Sequence, residues 1–323
     1  MYETYDNWPE IAKKSYFSDL AEINFEKCSH IVFGGMGGSG AIGDIFSAIL
    51  SKTNTHVTVV KGYNIPQTVD SDSVVVITSI SGNTVETLSI LENTKKIGAK
   101  VIAFSDGGKI QEMCLKNNIE HRNVTKIHSP RASFTAFLYS MLHVLKPILP
   151  IVESDILESI EKLERIGEKI NSKNISESNL SIQIAEWLND SPIIYYPFGL
   201  QSAAIRFKNS LQENSKIQAM TEDVIESSHN GIVGWDKKNN FQAILLKGYD
   251  DKETTKERWK IFKEFFEMKD VKYKEITSES GNILTKIICM IYLLDYSTIF
   301  LAAKLGIDPT PVNAIDFVKN KLK

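Results

Sequence analysis

From His30 onward the chain alternates short runs of β-branched and apolar residues with longer stretches whose apolar positions recur at helical spacing. That alternation is the mark of strands joined by crossover helices, and it confines the chain to an α/β architecture built on mostly parallel sheets. His30–Phe33, Val57–Lys61, Val74–Thr78 and Val101–Phe104 are continuous apolar or β-branched runs, as expected of strands covered on both faces. Between them, Ile42–Leu50 and Val85–Ile97 read as helices, the second stopped by Gly98. After Pro147 and Pro150 the character changes to a charged amphipathic stretch, Ile151–Ile170, and then to the polar segment Asn171–Asn179, which places a domain boundary near residue 150. The alternation resumes with strand Ile193–Tyr196, helix Ala203–Lys216, strand Gln242–Leu246, helix Lys252–Met268, strand Lys272–Ile276 and helix Gly281–Lys304. Two halves, 1–150 and 151–323, are expected to share an architecture without sharing a sequence.

A chain of 323 residues with 42% hydrophobic content is long enough for two such cores. The longest apolar runs, Ser73–Ser79 and Ile287–Leu294, fall short of the ~18–20 residues that span a bilayer, so no membrane helix is expected. Met1–Glu10 has neither the basic start nor the apolar core of an export signal, which points to a cytoplasmic protein. The net charge is −3 and the basic residues are spread along helices, a poor match to a nucleic-acid surface. Cys28, Cys114 and Cys289 have no paired spacing and are expected to be reduced, buried thiols. The six histidines form no metal-ligand pattern, and no metal is expected.

Two loops carry the chemistry. Gly34-Gly35-Met36-Gly37-Gly38-Ser39-Gly40 lies directly after a strand and before a helix, where backbone N–H groups and the helix dipole favour an anion. Gly35, Gly37 and Gly40 also satisfy the dinucleotide spacing, although Lys61 rather than an acid ends the next strand, and on these residues alone the two readings stay level. The second loop, Ser79-Ile80-Ser81-Gly82-Asn83-Thr84, offers three hydroxyls around a glycine and tips the balance toward a phosphate without a nucleotide. Thr84 is also well placed simply to cap the helix that follows.

Gly35–Ser39 and Ser81–Thr87 resemble the paired phosphate loops of sugar-isomerase (SIS) domain proteins, and the bifunctional phosphoglucose/phosphomannose isomerase family in particular. The likeness continues through Pro130–Ser133, Glu213–Lys216, His229–Gly234 and Asp308 to Lys319. The resemblance implies two doubly wound SIS subdomains and an aldose–ketose isomerisation of glucose 6-phosphate or mannose 6-phosphate with fructose 6-phosphate, without metal or cofactor. It further implies that Gly38, Ser39, Ser79, Ser81 and Thr84 hold the phosphate, with Gly37 and Thr310 as further substrate contacts. Glu213 becomes the proton-transfer base, His229 and Lys319 open the sugar ring, and Arg131 stabilises the enediolate. A homodimer follows as well, with the histidine serving the neighbouring subunit's site. Two departures stand out: Gly231 replaces a more common glutamate after His229-Asn230, and Ser215 stands where alanine is frequent.

The residues themselves bear on these roles. At about 100° per residue Glu213 lies off the stripe formed by Ala204, Phe207 and Leu211. Lys319 lies roughly 40° from Ile315, inside the stripe formed with Val318 and Leu322, where a charge needs a partner or must snorkel. His229 sits in a polar segment, and its titration range suits proton exchange near neutrality. Arg131 follows Pro130 at an expected helix start, and its permanent charge suits an anionic transition state. Readings from other classes are a sugar-phosphate-sensing regulator, which the first thirty residues are too short to equip with a DNA-binding module, and an isomerase or etherase of the same fold acting on another phosphosugar.

Overall fold

The computed structural model describes residues 1–25 and 28–322; Lys323, the last residue of the second expected half, lies outside them. The chain divides into two compact units. The N-terminal unit comprises Asp6–Gly167 and Gly281–Ile288, and the C-terminal unit comprises Met1–Tyr5, Glu168–Ser280 and the chain from Cys289 onward. The changeover therefore falls at residues 167 and 168, inside helix Glu153–Ile170, and not at residue 150. Most of that helix belongs to the N-terminal unit, where Ser159 Oγ lies 2.7 Å from the Tyr139 hydroxyl and Asn282 Nδ2 donates to Glu158 Oε2 at 2.6 Å.

The N-terminal sheet has five parallel strands: β1 (His30–Gly34), β2 (His56–Val60), β3 (Ser73–Ser79), β4 (Lys100–Ser105) and β5 (Glu120–Asn123), in the order β2-β1-β3-β4-β5. β3 is buried along its whole length because helices cover both faces, and this is why it reads as an uninterrupted apolar run. Val32, Val75, Ile77 and Ala103 share one core with Ile90, Leu91, Ile110 and Cys114. Elsewhere in the same unit Phe33 stacks on Phe46 of helix Gly38–Leu50, with ring centroids 5.0 Å apart.

The C-terminal sheet repeats the pattern less one strand: β6 (Pro192–Tyr196), β7 (Met220–Asp223), β8 (Gln242–Lys247) and β9 (Tyr273–Thr277), all parallel, in the order β7-β6-β8-β9. Tyr195, Trp235, Trp259, Phe262 and Phe266 form its aromatic core. The α/β class and the duplicated architecture expected from the alternation are thus observed. β5 and β7 were not anticipated, because Glu-His-Arg-Asn and Met-Thr-Glu-Asp carry little apolar signal; both are edge strands, half-covered by neighbours.

Helix Ile283–Lys304 is long and apolar enough to cross a membrane, although no run in the sequence reached that length, because Thr285, Lys286 and Asp295 interrupt it. Within its most apolar stretch 78% is buried inside the protein, and Asp295 is paired with Arg206, as in a core helix.

Candidate active site

In an open parallel sheet, ligands gather beyond the carboxyl ends of the strands where the strand order reverses. In the N-terminal sheet that point lies between β1 and β3, and the two hydroxyl- and glycine-bearing loops leave from there. After β1 the chain turns through Gly37, at φ +54°, into helix Gly38–Leu50. The turn is tight: a Cβ on Gly40 would stand 2.8 Å from the Gly35 carbonyl oxygen and 3.1 Å from Lys61 Cε. Ser39 is buried in the first helical turn, and its amide donates to the Met36 carbonyl. Lys61 Nζ lies 2.6 Å from Asp44 Oδ2, so the base that ends the second strand leans over this loop as half of an ion pair. Burial raises the Asp44 carboxyl above its usual range, against the opposing pull of Lys61.

The loop after β3 is held by the loop after β4. Gly82 has φ +66°, and a Cβ there would lie 1.9 Å from the Gly107 carbonyl oxygen, so only glycine fits. The Gly82 carbonyl accepts from Ile110 N, and Asn83 reaches across to accept from Lys109 N. Within the loop Ser79 Oγ donates to Thr84 Oγ1 at 3.0 Å. Thr84 begins helix Val85–Thr94 but its side chain makes no cap hydrogen bond, so its hydroxyl is directed to Ser79 and not to the helix end. The clamp on this loop, Gly107-Gly108, was visible as a glycine doublet after the fourth strand but pointed to nothing by itself.

Arg131 is buried, only 4% exposed, and not a solvated surface group. Its flanks are fixed: the Ala132 carbonyl accepts from Trp8 Nε1 at 2.9 Å, and Ser133 Oγ exchanges hydrogen bonds with both backbone groups of Ile127.

The remaining candidates belong to the C-terminal unit. Helix Gln201–Ser210 does not run on to Lys216 as a regular α-helix; Leu211–Ser215 forms a π-helical turn, a local widening that often accompanies function. Glu213 rides on that turn and is half-buried, a direction that regular helical spacing could not give. Asn214 Nδ2 donates to Thr298 Oγ1 and Ser215 Oγ to the Thr298 carbonyl, both at 2.8 Å. Lys216, in the left-handed region at φ +58°, donates through Nζ to the carbonyls of Glu213 and Pro311, tying the Glu213 turn to the segment that holds Thr310. Thr310 N in turn donates to Asp308 Oδ1 at 2.8 Å.

Lys319 lies on helix Asn313–Lys321, which has no buried residue, so its stripe neighbours Ile315, Val318 and Leu322 are exposed with it. His229 is exposed after the short helix Val224–Ser227, its amide donating to the Glu226 carbonyl. Next to it Asn230 Nδ2 donates to Glu226 Oε1, and the Asn230 side chain accepts from the Gly231 amide.

Comparison with known proteins bears on this arrangement. The family described as bacterial phospho-glucose isomerase C-terminal SIS domain matches residues 177–322, and the SIS domain family matches residues 24–144. A bifunctional phosphoglucose/phosphomannose isomerase of Caldicellulosiruptor bescii is 32% identical over 100% of this chain and 98% of its own. The chain belongs to the bifunctional phosphoglucose/phosphomannose isomerase family. Another member, from Aquifex aeolicus, is 32% identical over 98% of this chain and 94% of its own. At the level of fold, the C-terminal domain of a glucosamine-fructose-6-phosphate aminotransferase from Francisella tularensis superposes with a TM-score of 0.71 at 18% identity, over 95% of this chain and 98% of that one.

Proposed function

We propose that this chain interconverts glucose 6-phosphate and mannose 6-phosphate with fructose 6-phosphate. The observation that carries the reading is the placing of Ser39, Ser79, Ser81 and Thr84 on two loops at the carboxyl ends of adjacent parallel strands, β1 and β3. Two such loops offer hydroxyls and helix N-terminal amides to one phosphate, which anchors the sugar by a group the reaction does not change. Gly37 and Gly38 supply the amides of the first loop, and Thr310 contributes a further contact to the sugar. His229 and Lys319 open the ring by moving protons between the ring oxygen and the C1 hydroxyl. Glu213 then takes the C2 proton of the aldose as a general base and returns it at C1, while the proton of the C2 hydroxyl passes to O1, giving the ketose. Arg131, buried and permanently charged, stabilises the enediolate between the two transfers. The chemistry moves protons only, and no metal or cofactor is assigned to it.

The working form is a homodimer in the cytoplasm. Its support is helix Asn313–Lys321, where Phe317, Val318 and Leu322 stand 54–65% exposed in the single chain, an apolar face suited to a second copy. In that dimer His229 serves the partner's sugar.

The test of the phosphate reading is the double substitution Ser81→Ala/Thr84→Ala. Isomerase assays should show KM for fructose 6-phosphate rising about tenfold or more with kcat far less affected. Equal weakening for phosphorylated and free sugars would contradict it.

A further inference from the structure

Glu222 lies on β7, the edge strand of the C-terminal sheet, in register with Tyr195 of β6. Tyr195 is fully buried, and its hydroxyl accepts from Trp235 Nε1 at 2.8 Å. In-register neighbours share a face of the sheet, so the Glu222 side chain is directed toward the turn Gly231–Asp236 that carries Trp235. There its carboxylate lies against Gly231: a Cβ on that glycine would stand 2.0 Å from Glu222 Oε2 and 2.9 Å from Cδ. The backbone at 231 is not in the left-handed region, so it would accept any side chain. What requires a glycine is the volume taken by the carboxylate.

The same oxygen, Oε2, is buried and has no hydrogen-bond partner among the described residues. Burial raises the carboxyl above its usual range. A buried acceptor without a partner costs about 1–3 kcal/mol, and an alanine at 222 would avoid that cost. The chain therefore carries a destabilising carboxyl against the segment following His229-Asn230.

We propose that Glu222 is a positioning residue of the isomerase, its carboxyl supplied from the edge strand to seat the turn that presents His229. The inference rests on the reading of His229 as a ring-opening group. A carboxylate that served only to keep the edge strand from pairing with another chain would leave turnover untouched.

The experiment measures kcat, KM for fructose 6-phosphate and Tm for Glu222→Ala, Gly231→Glu and the two together. Each single substitution should lower kcat by about tenfold or more, with KM within about threefold. The double substitution, which moves the carboxyl from strand to turn, should recover most of the loss. In a His229→Ala background Glu222→Ala should cost nothing further, because a residue that acts through His229 has nothing left to position. Should Glu222→Ala unfold, Glu222→Gln, which keeps the shape, carries the test by retaining turnover within about threefold of the wild type. Wild-type turnover in Glu222→Ala, a double substitution no better than the singles, or losses that add in the His229→Ala background would each overturn the proposal. A His229→Ala chain as active as the wild type would instead sink the reading of His229 on which it rests.

Discussion

Glu213, proposed as the proton-transfer base, rides on a turn that directly follows a helix carrying one half of a buried ion pair. Beneath its turn, Arg206 donates through Nε and Nη2 to Asp295 Oδ2 at 2.9 and 2.6 Å, and Ser210 Oγ donates to Asp295 Oδ1 at 2.6 Å. Burial opposes the charge on Arg206, but the Asp295 carboxylate beside it outweighs burial and holds the guanidinium above even its ordinary range, with a further contribution from Glu213. Removing one member leaves the other charge buried, so Asp295→Ala should destabilise the protein by about 3–5 kcal/mol in urea unfolding. Glu213→Gln should do something different: abolish exchange of the C2 proton, leave fructose 6-phosphate affinity within a few-fold, and leave stability near wild type, as isotope exchange and titration would show. Of these residues the sequence announced Glu213 by resemblance alone. Arg206 and Asp295 were illegible because spacing reports which face a residue occupies, not that a buried charge has found its counter-charge 89 positions away.

At the scale of elements, the strands and long helices were legible because burial on both faces writes continuous apolar runs, and helix packing writes a 3.6-residue period. The edge strands β5 and β7 and the π-helical turn were not, since half-covered strands need little apolar surface and a π turn changes the period that identifies a helix. The loop after β3 was legible as a hydroxyl- and glycine-bearing loop, but its rigidity was not, because that comes from Gly107, in the loop after the neighbouring strand β4, approaching Gly82. Gly82→Ala should therefore raise KM for sugar phosphates at least as strongly as losing the loop hydroxyls, a result steady-state kinetics would give directly. The cysteines needed correction too: Cys114 and Cys289 are buried but Cys28 is only half-buried. Burial pushes the Cys114 thiol up to about 11 from about 9. With a raised folded value, its contribution to stability is fully present below about pH 9 and is lost as the pH rises toward about 11. Urea midpoints across that window should fall less steeply for Cys114→Ala than for the wild type.

For the whole molecule, two parallel sheets of matching strand order share no sequence likeness, which is why the duplication was readable in the rhythm of the chain and not in its letters. The charged helix after residue 150 was read as the opening of the second half, yet most of it belongs to the N-terminal unit, and only its contacts reveal that. A dimer in which His229 serves the partner makes a sharp expectation. Glu213→Gln and His229→Ala chains, each strongly impaired, should regain activity when unfolded together and refolded as mixed dimers, whereas a histidine acting within its own chain would leave the mixture no more active than its parts. The central claim, a proton moved between C1 and C2 of a hexose 6-phosphate, is tested most directly by proton NMR of the purified wild-type protein with fructose 6-phosphate in D2O. The account predicts that glucose 6-phosphate and mannose 6-phosphate both appear, with partial deuteration at C2. Neither aldose forming while the sugar phosphate still binds would contradict it.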